Sequence, residues 1–224
     1  MPAKAKKSKS AKVTKKKKKA EPKKKTTTAV KKTPAAKKGK ATAGTAANHD
    51  PVAILAALRQ LASKKTLEGM ARYAIPSKNA FGVPVGKIRD LGRQLGRSHE
   101  LAAELWETGN YEARMLAAFV DEPDRVTPSQ MDRWCRDFDN WAVCDHLCFH
   151  LFDRTPHAFA KVKLWATKRE EFVKRAAFAL LASLALHDKD TNDVPFAECL
   201  PLIDRAASDD RNFVKKGVSW ALRG

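Results

Sequence analysis

Trp141 and Asp145 are the two residues whose types and spacing are best suited to chemistry. They lie four positions apart in the segment Asn140-Trp-Ala-Val-Cys-Asp145, and residues i and i+4 share one face of a helix. An indole ring beside a carboxylate favours a positively charged ligand, through cation–π and Coulomb attraction together. The alternative is a core tryptophan with a surface aspartate. Cys148 and Phe152 appear to extend the stripe as a buried face, in which an unpaired carboxylate would be costly.

Two other segments carry side chains that could complete such a site. Trp220 stands near the end of a helical pattern, with Lys215 and Lys216 shortly before it. Arg175 is followed by small residues that permit close helix packing. Its planar guanidinium can pair with Asp145 or hold a phosphate, although a solvated surface arginine has the same pattern.

Metal and cofactor chemistry find little support in the sequence. The segment Cys144-Asp-His-Leu-Cys-Phe-His150 contains two cysteines and two histidines. On a helix the cysteines share one face and the histidines lie roughly 160–200° away, so the four cannot converge on one tetrahedral zinc ion. No GxSxG, P-loop, GxGxxG or HExxH motif is present. The sequence therefore predicts no metal and no cofactor.

Charge divides the chain into two parts. The net charge is +19, yet residues 1–49 hold 18 lysines and a single acidic residue, Glu21. This Lys-rich segment is too poor in apolar residues to offset the entropy of ordering, which predicts a disordered polycationic tail. Such a tail binds phosphates without reading sequence. A tail that serves only solubility or localisation is the alternative.

Residues 50–224 have the length and balanced charge of one domain. No apolar run approaches the 18 residues of a membrane span, and no secretion signal opens the chain. The four cysteines show no disulfide framework, which favours a reducing compartment and free thiols.

Apolar periodicity predicts helices along the whole domain. Asp50-Pro51 has the form of an N-cap followed by proline at the first helical position, and a second segment runs from about 67 to 73. Further helices are predicted near 84–97, 99–108, 111–121, 128–138, 140–152, 157–166, 168–186, 195–207 and 211–223. Short helices with short turns and no alternating strand indicate an all-α solenoid, an α-α superhelix of stacked helix pairs. HEAT-like units, longer than the 34-residue TPR or 33-residue ankyrin repeat, fit best.

Several ordered stretches resemble one known family, the DNA alkylation repair family of AlkD-like DNA glycosylases, which are built from HEAT-like repeats. The resemblance covers about Leu67 to Gly224. It is carried by the stretches Met70-Ala-Arg-Tyr73, Phe81-Gly-Val83, Tyr111-Glu-Ala-Arg-Met-Leu-Ala-Ala118, Trp141-Ala-Val-Cys-Asp145, Lys174-Arg-Ala-Ala177 and Phe213-Val-Lys-Lys-Gly-Val-Ser-Trp-Ala-Leu-Arg223.

The resemblance implies a metal-free and cofactor-free glycosylase that acts as a monomer on alkylated duplex DNA. It would excise cationic purines such as 3-methyladenine and 7-methylguanine, without needing the usual flipping of the base into a pocket. Asp145 takes the catalytic position, Trp141 and Trp220 the sugar-contacting positions, and Arg175 the active-site arginine. The implied DNA-binding residues are Tyr73, Lys174, Lys215, Lys216 and Arg223. The compartment would be the nucleoid-bearing cytoplasm of a bacterium or the nucleus of a eukaryote.

These residue types suit that chemistry. A purine alkylated at N3 or N7 is already cationic and leaves without a general acid, so the transition state is an oxocarbenium ion on the sugar. A nearby carboxylate stabilises that charge and orients the attacking water, while tryptophan faces stabilise the cation and exclude solvent.

Two departures from the family keep alternatives open. Ala142 stands where the type member carries a second acid, and the chain stops at Gly224 where the family usually continues with capping helices. A short C-terminus would leave the last helix with an exposed apolar face. A non-catalytic DNA-binding member of the family, or a protein-interaction scaffold, therefore remains the alternative to the enzyme.

Overall fold

The computed structural model describes residues 49–224, and the predicted tail over 1–49 lies outside them except for His49. Within this range the all-α prediction is confirmed, because every regular element is a helix. The helices are α1 (Pro51–Gln60), α2 (Lys64–Met70), α3 (Val85–Leu95), α4 (His99–Glu107), α5 (Tyr111–Val120), α6 (Pro128–Arg136), α7 (Trp141–His150), α8 (Ala158–Trp165), α9 (Glu171–His187), α10 (Val194–Ala197), α11 (Leu200–Ala206) and α12 (Asn212–Arg223).

The helices stack in two layers. In the first layer α3 packs on α5, α5 on α7, α7 on α9 and α9 on α12; α4, α8 and α11 cover it from the other side. Helices α5, α7 and α9 begin at Tyr111, Trp141 and Glu171, a spacing of 30 residues, and α12 follows at Asn212. The expectation of units longer than 34 residues is therefore wrong for the central pairs, because helices of about ten residues joined by short turns complete a pair within 30.

Asparagine caps set the register of the central helices. The Oδ1 atom of Asn110 accepts from the Ala113 amide at 3.0 Å, and Oδ1 of Asn140 accepts from the Val143 amide at the same distance. Each cap satisfies a backbone donor that the first turn leaves unpaired. Trp141 is consequently the first residue of α7.

Large aromatic residues fill the interface between the layers. The rings of Trp106 and Trp134 stack with centroids 4.3 Å apart, and both side chains are buried. The indole nitrogens of Trp106 and Trp165 donate to Asp137 and Asp132, each at 2.8 Å. Three of the five tryptophans are therefore structural, and Trp141 and Trp220 are the two that remain partly exposed.

Three predicted boundaries differ from the structure. The second helix starts at Lys64 rather than near Leu67, because Ser63 caps it by accepting from the Thr66 amide at 3.4 Å. The predicted helix over 195–207 is broken into α10 and α11, since Pro201 cannot donate the hydrogen bond that would continue it. The predicted helix over 140–152 ends at His150, and a 3-10 turn follows at Phe152–Arg154.

The last helices leave apolar side chains uncovered, as predicted for the end of the repeat. Leu200 and Leu222 are 54% and 66% exposed and line one depression beside α9. All four cysteines are buried free thiols, as predicted. None of the helices within residues 49–224 has both the length and the apolar character needed to cross a membrane.

Candidate functional site

Asp145 and Arg175 form a two-bonded ion pair between α7 and α9. The Nε atom of Arg175 donates to Oδ1 of Asp145 at 2.8 Å, and Nη2 donates to Oδ2 at 2.6 Å. The remaining terminal nitrogen, Nη1, donates to the carbonyl oxygen of Phe213 at 2.8 Å. The side chains of the pair are only 15% and 6% exposed. The arginine therefore holds the carboxylate in one orientation and ties three successive helices of the layer together.

Burial and pairing act in opposite directions on these two groups. Burial raises the pKa of the Asp145 carboxyl, although the hydrogen bonds and charge of Arg175 oppose that rise. Burial by itself would lower the pKa of Arg175, but its bonds to Asp145 outweigh it and raise that pKa. The guanidinium is therefore charged at any working pH, and the carboxylate is ionised at neutral pH with a higher-than-usual affinity for a proton.

Trp141 lies at the N-terminal end of α7 against the turn that follows α2. Its indole nitrogen donates to the Tyr73 carbonyl oxygen at 2.6 Å. The next residue, Ala74, has a left-handed backbone with φ 53°, which turns the chain so that this carbonyl meets α7. Tyr73 itself is 65% exposed. These groups form a first depression, lined by Arg72, Tyr73, Ala74, Trp141, Arg175, Asn212, Phe213 and Lys216.

Trp220 lies on α12 at a second depression. Its ring stacks on Phe149 of α7, with centroids 4.6 Å apart and planes 12° apart. The depression is lined by Arg175, Lys215, Lys216, Ser219, Trp220 and Arg223. Arg175 and Lys216 belong to both depressions, so the two tryptophans lie on either side of the Asp145–Arg175 pair.

The predicted DNA-binding residues differ in how available they are. Lys216 and Arg223 are exposed, and Arg223 donates only to the Ser219 carbonyl of its own helix. Lys215 lies 3.5 Å from Asp210 and keeps half its side chain in solvent. Lys174 is 19% exposed and donates to Asp209 at 3.1 Å, so the structure places it in an internal ion pair and not on the surface beside Trp220.

Two residues of the site were missed by sequence reasoning. The stripe through Asp145 continues to Phe149, which is partly exposed, whereas Cys148 and Phe152 are fully buried. The i+4 spacing from Asp145 was the available signal for Phe149. Phe213 contributes through its backbone carbonyl, which no side-chain pattern marks.

The cysteine and histidine segment of α7 serves packing. The thiols of Cys144 and Cys148 donate to the carbonyls of Phe172 and Ala176 on α9, at 3.6 and 3.5 Å. His146 faces the other way and donates from Nε2 to the Met115 carbonyl at 3.0 Å. Within residues 49–224 no group of three or more His, Cys, Asp or Glu side chains is arranged to hold a metal ion.

The two-layer helical stack and its paired carboxylate define a HEAT-like repeat protein with a polar site on one helical layer. The chain belongs to the family described as DNA alkylation repair enzyme, which it matches over residues 54–224. The sequence-based resemblance is thereby confirmed.

Relatives of known sequence and structure are distant. Two "uncharacterized" proteins, from Listeria innocua and Listeria monocytogenes, are 23% and 22% identical over 147 residues. The match spans 64% of this chain and 63% of each relative. A solved structure described as "a new family of proteins related to the HEAT-like repeat DNA glycosylases with affinity for branched DNA structures" superposes with a TM-score of 0.70. It is 20% identical, with 77% of this chain and 74% of that chain covered, and shows a shared fold.

Proposed function

We propose that this protein is a DNA glycosylase that excises cationic alkylated purines, such as 3-methyladenine and 7-methylguanine, from duplex DNA. The observation that carries the proposal is the Asp145 carboxylate, oriented by Arg175 and flanked by the depressions of Trp141 and Trp220. A fixed carboxylate between aromatic surfaces suits a sugar on which positive charge develops.

The chemistry assigns a separate role to each group. The alkylated base is already a cation, so its departure needs no proton donor. As the N-glycosidic bond breaks, Asp145 stabilises the oxocarbenium ion and orients the attacking water. Arg175 keeps the carboxylate from rotating, and the indole faces exclude solvent. No metal or cofactor enters this mechanism.

The partner in this proposal is the DNA backbone. Lys215, Lys216 and Arg223 would contact phosphates beside Trp220, and Tyr73 would contact the duplex beside Trp141. The polycationic segment 1–49 would add sequence-independent affinity that falls steeply with salt. We propose a monomer that works where DNA lies, in a bacterial nucleoid or a eukaryotic nucleus.

A second candidate is DNA binding without excision. Both carboxylate oxygens of Asp145 are already engaged by Arg175, and its side chain is 15% exposed. A carboxylate held this way can act as a structural anchor for α7 and α9. The solved structural neighbour comes from a family described by its affinity for branched DNA, which agrees with this candidate.

The deciding measurement is release of 7-methylguanine from a duplex oligonucleotide by wild type and by Asp145→Asn. We expect the variant to lose at least a hundredfold in the single-turnover rate, because an amide cannot stabilise the sugar cation as a carboxylate does. Binding of undamaged duplex should change by less than about threefold. Asp124→Asn, an exposed aspartate in the turn before α6, is the matched control and should behave as wild type.

The possible outcomes separate the candidates. No release by a folded wild type that still binds duplex would establish the non-catalytic candidate. Equal loss of release and binding in Asp145→Asn would contradict the catalytic role. A protein-interaction scaffold would lose all duplex affinity when residues 1–49 are deleted, whereas a DNA-binding helical layer would retain salt-sensitive binding.

A further inference from the structure

A second basic depression lies at the C-terminal end of α7, away from the groups described above. Arg89 and Arg93 are one turn apart on α3, and Arg97 follows on the same side just beyond the helix end. Arg154 reaches the depression from the turn after α7. The lining is completed by Gly92, Gly96, Phe119 and His150. All four arginines are exposed.

The positive charge of this depression is only partly neutralised. Asp90 lies 3.6 Å from Arg93, but both side chains are largely solvated, and such pairs contribute little. Arg97 donates to the backbone carbonyl of Asp121 rather than to a carboxylate. Arg154 lies 4.0 Å from the buried Asp153, whose other oxygen is engaged by Ser183 and His187. For Arg89 no acidic partner occurs within residues 49–224.

The basic groups act on one another, as expected of charges crowded together without an anion. Burial lowers the pKa of Arg97, and the nearby Arg154 lowers it further. Burial likewise lowers the pKa of His150, with Arg154 and Arg89 adding to the effect while Asp153 opposes it. An anion placed among these groups would relieve their mutual repulsion.

The floor of the depression is open to a bulky oxyanion. Gly92 is buried where α3 crosses α5, and a Cβ atom there would come within 2.8 Å of the Phe119 Cβ. Gly96 ends α3 with φ 78°. Because neither residue carries a side chain, the arginine forks border an unobstructed space of about 430 Å³.

The depression also lies in line with the candidate catalytic site. His150 is five residues beyond Asp145 on α7, about 7.5 Å along the helix axis. Phe149, next to His150, contacts Trp220 on one side and the edge of His187 on the other. The exposed surface of α7 therefore runs from Trp141, past the carboxylate, to the arginines.

We propose that the depression formed by Arg89, Arg93, Arg97 and Arg154 is a second phosphate-binding site, which holds the DNA backbone on the opposite side of Asp145 from Lys216 and Arg223. Arginine forks bind phosphate oxygens in a bidentate manner, and two separate anchors would fix the duplex across the carboxylate. This inference rests on the proposed DNA substrate.

The test is equilibrium binding of an undamaged, fluorescently labelled duplex to the full chain, measured by anisotropy over a range of NaCl concentrations. We expect Arg89→Gln/Arg93→Gln to weaken binding about tenfold near 0.15 M salt. The slope of log affinity against log salt should fall by about one to two, because fewer phosphates are neutralised. Arg89→Lys/Arg93→Lys, which keeps the charge without the forks, should restore most of the slope.

The matched control is Arg133→Gln/Arg136→Gln, which removes two exposed arginines from α6. The Lys-rich segment is the same in all these chains, so differences between them report the folded part. Equal effects of the two double variants, at equal melting temperature, would overturn the proposal. Release of 7-methylguanine is not part of this measurement, so absence of excision would refute the proposed enzyme and leave the anchor supported.

Discussion

At the scale of single residues, the site depends on how one arginine is divided among its partners. Arg175 uses three nitrogens on Asp145 and on the Phe213 carbonyl. A lysine has no planar fork and cannot make these bonds together. The pair therefore sets both the orientation of the carboxylate and the pH at which it becomes protonated.

We expect the acid limb of excision to lie above the ordinary aspartate range, because burial raises the pKa of Asp145. Activity requires the ionised carboxylate and is lost as pH falls through that pKa. Arg175→Lys should move the acid limb to higher pH, since weaker pairing opposes the effect of burial less. The measurement is 7-methylguanine release against pH, with release in the absence of protein subtracted.

The control for this shift is Arg211→Lys, which alters a guanidinium bound to Asp209 near α12 and away from Asp145. Its acid limb should coincide with that of wild type. Identical acid limbs for Arg175→Lys and wild type would show that Asp145 is not the group that limits activity in acid.

At the scale of elements, a buried carboxylate organises the segment that leads into α3. The Glu112 side chain accepts from the amides of Phe81, Gly82 and Val83 at 3.0, 2.7 and 3.1 Å. Gly82 has φ 82°, and a Cβ there would approach Ser63 and Leu67 within 2.8 Å. The segment thus positions α3, and with it Arg89 and Arg93, against α5.

Glu112→Gln should destabilise the domain by about 2 kcal/mol, because the amide group would leave buried backbone donors without an acceptor. The measurement is the denaturant midpoint and slope of unfolding, followed by helical circular dichroism. Glu104→Gln changes an exposed glutamate of α4 and should stay within about 0.5 kcal/mol of wild type. A Glu112 variant as stable as this control would contradict the anchoring role.

At the scale of the whole domain, stability in acid depends on a histidine buried between α5 and α7. His146 donates to the Met115 carbonyl, and its ring meets the Phe119 and His150 rings at 4.7 and 4.4 Å. Burial, together with His150 and Arg89, lowers the pKa of His146 to about 3. The folded domain thus holds this ring neutral where an unfolded chain protonates it.

The sign of the pH dependence follows from that difference. The unfolded histidine takes up a proton below about pH 6.5, so the stabilising contribution is complete above that pH. It should fall by about 1.4 kcal/mol per unit as the pH drops toward 3. His146→Gln keeps a donor near the Nε2 position and should flatten this part of the stability curve. Chemical denaturation between pH 7 and pH 4 measures the slope, and parallel curves for wild type and variant would contradict the assignment.

Local patterns in the sequence were sufficient for the helical architecture and for most of the site. Apolar spacing and capping residues such as Asn110 and Asn140 predict the helices of the central layer, because these signals act within one turn. The i, i+4 relation placed Trp141 and Asp145 on one helix face. The family resemblance joined Arg175 and Trp220 to them, and the structure brings Arg175 onto Asp145.

Only the tertiary structure decided which long-range partners meet. Phe149 under Trp220, the Phe213 carbonyl on Arg175 and the Tyr73 carbonyl on Trp141 join segments 30 or more residues apart. The same holds for Lys174, which is drawn away to Asp209, and for the arginine depression between α3 and α7. Such contacts depend on how neighbouring repeats rotate and pack, and a pattern that repeats within one helix carries no record of that geometry.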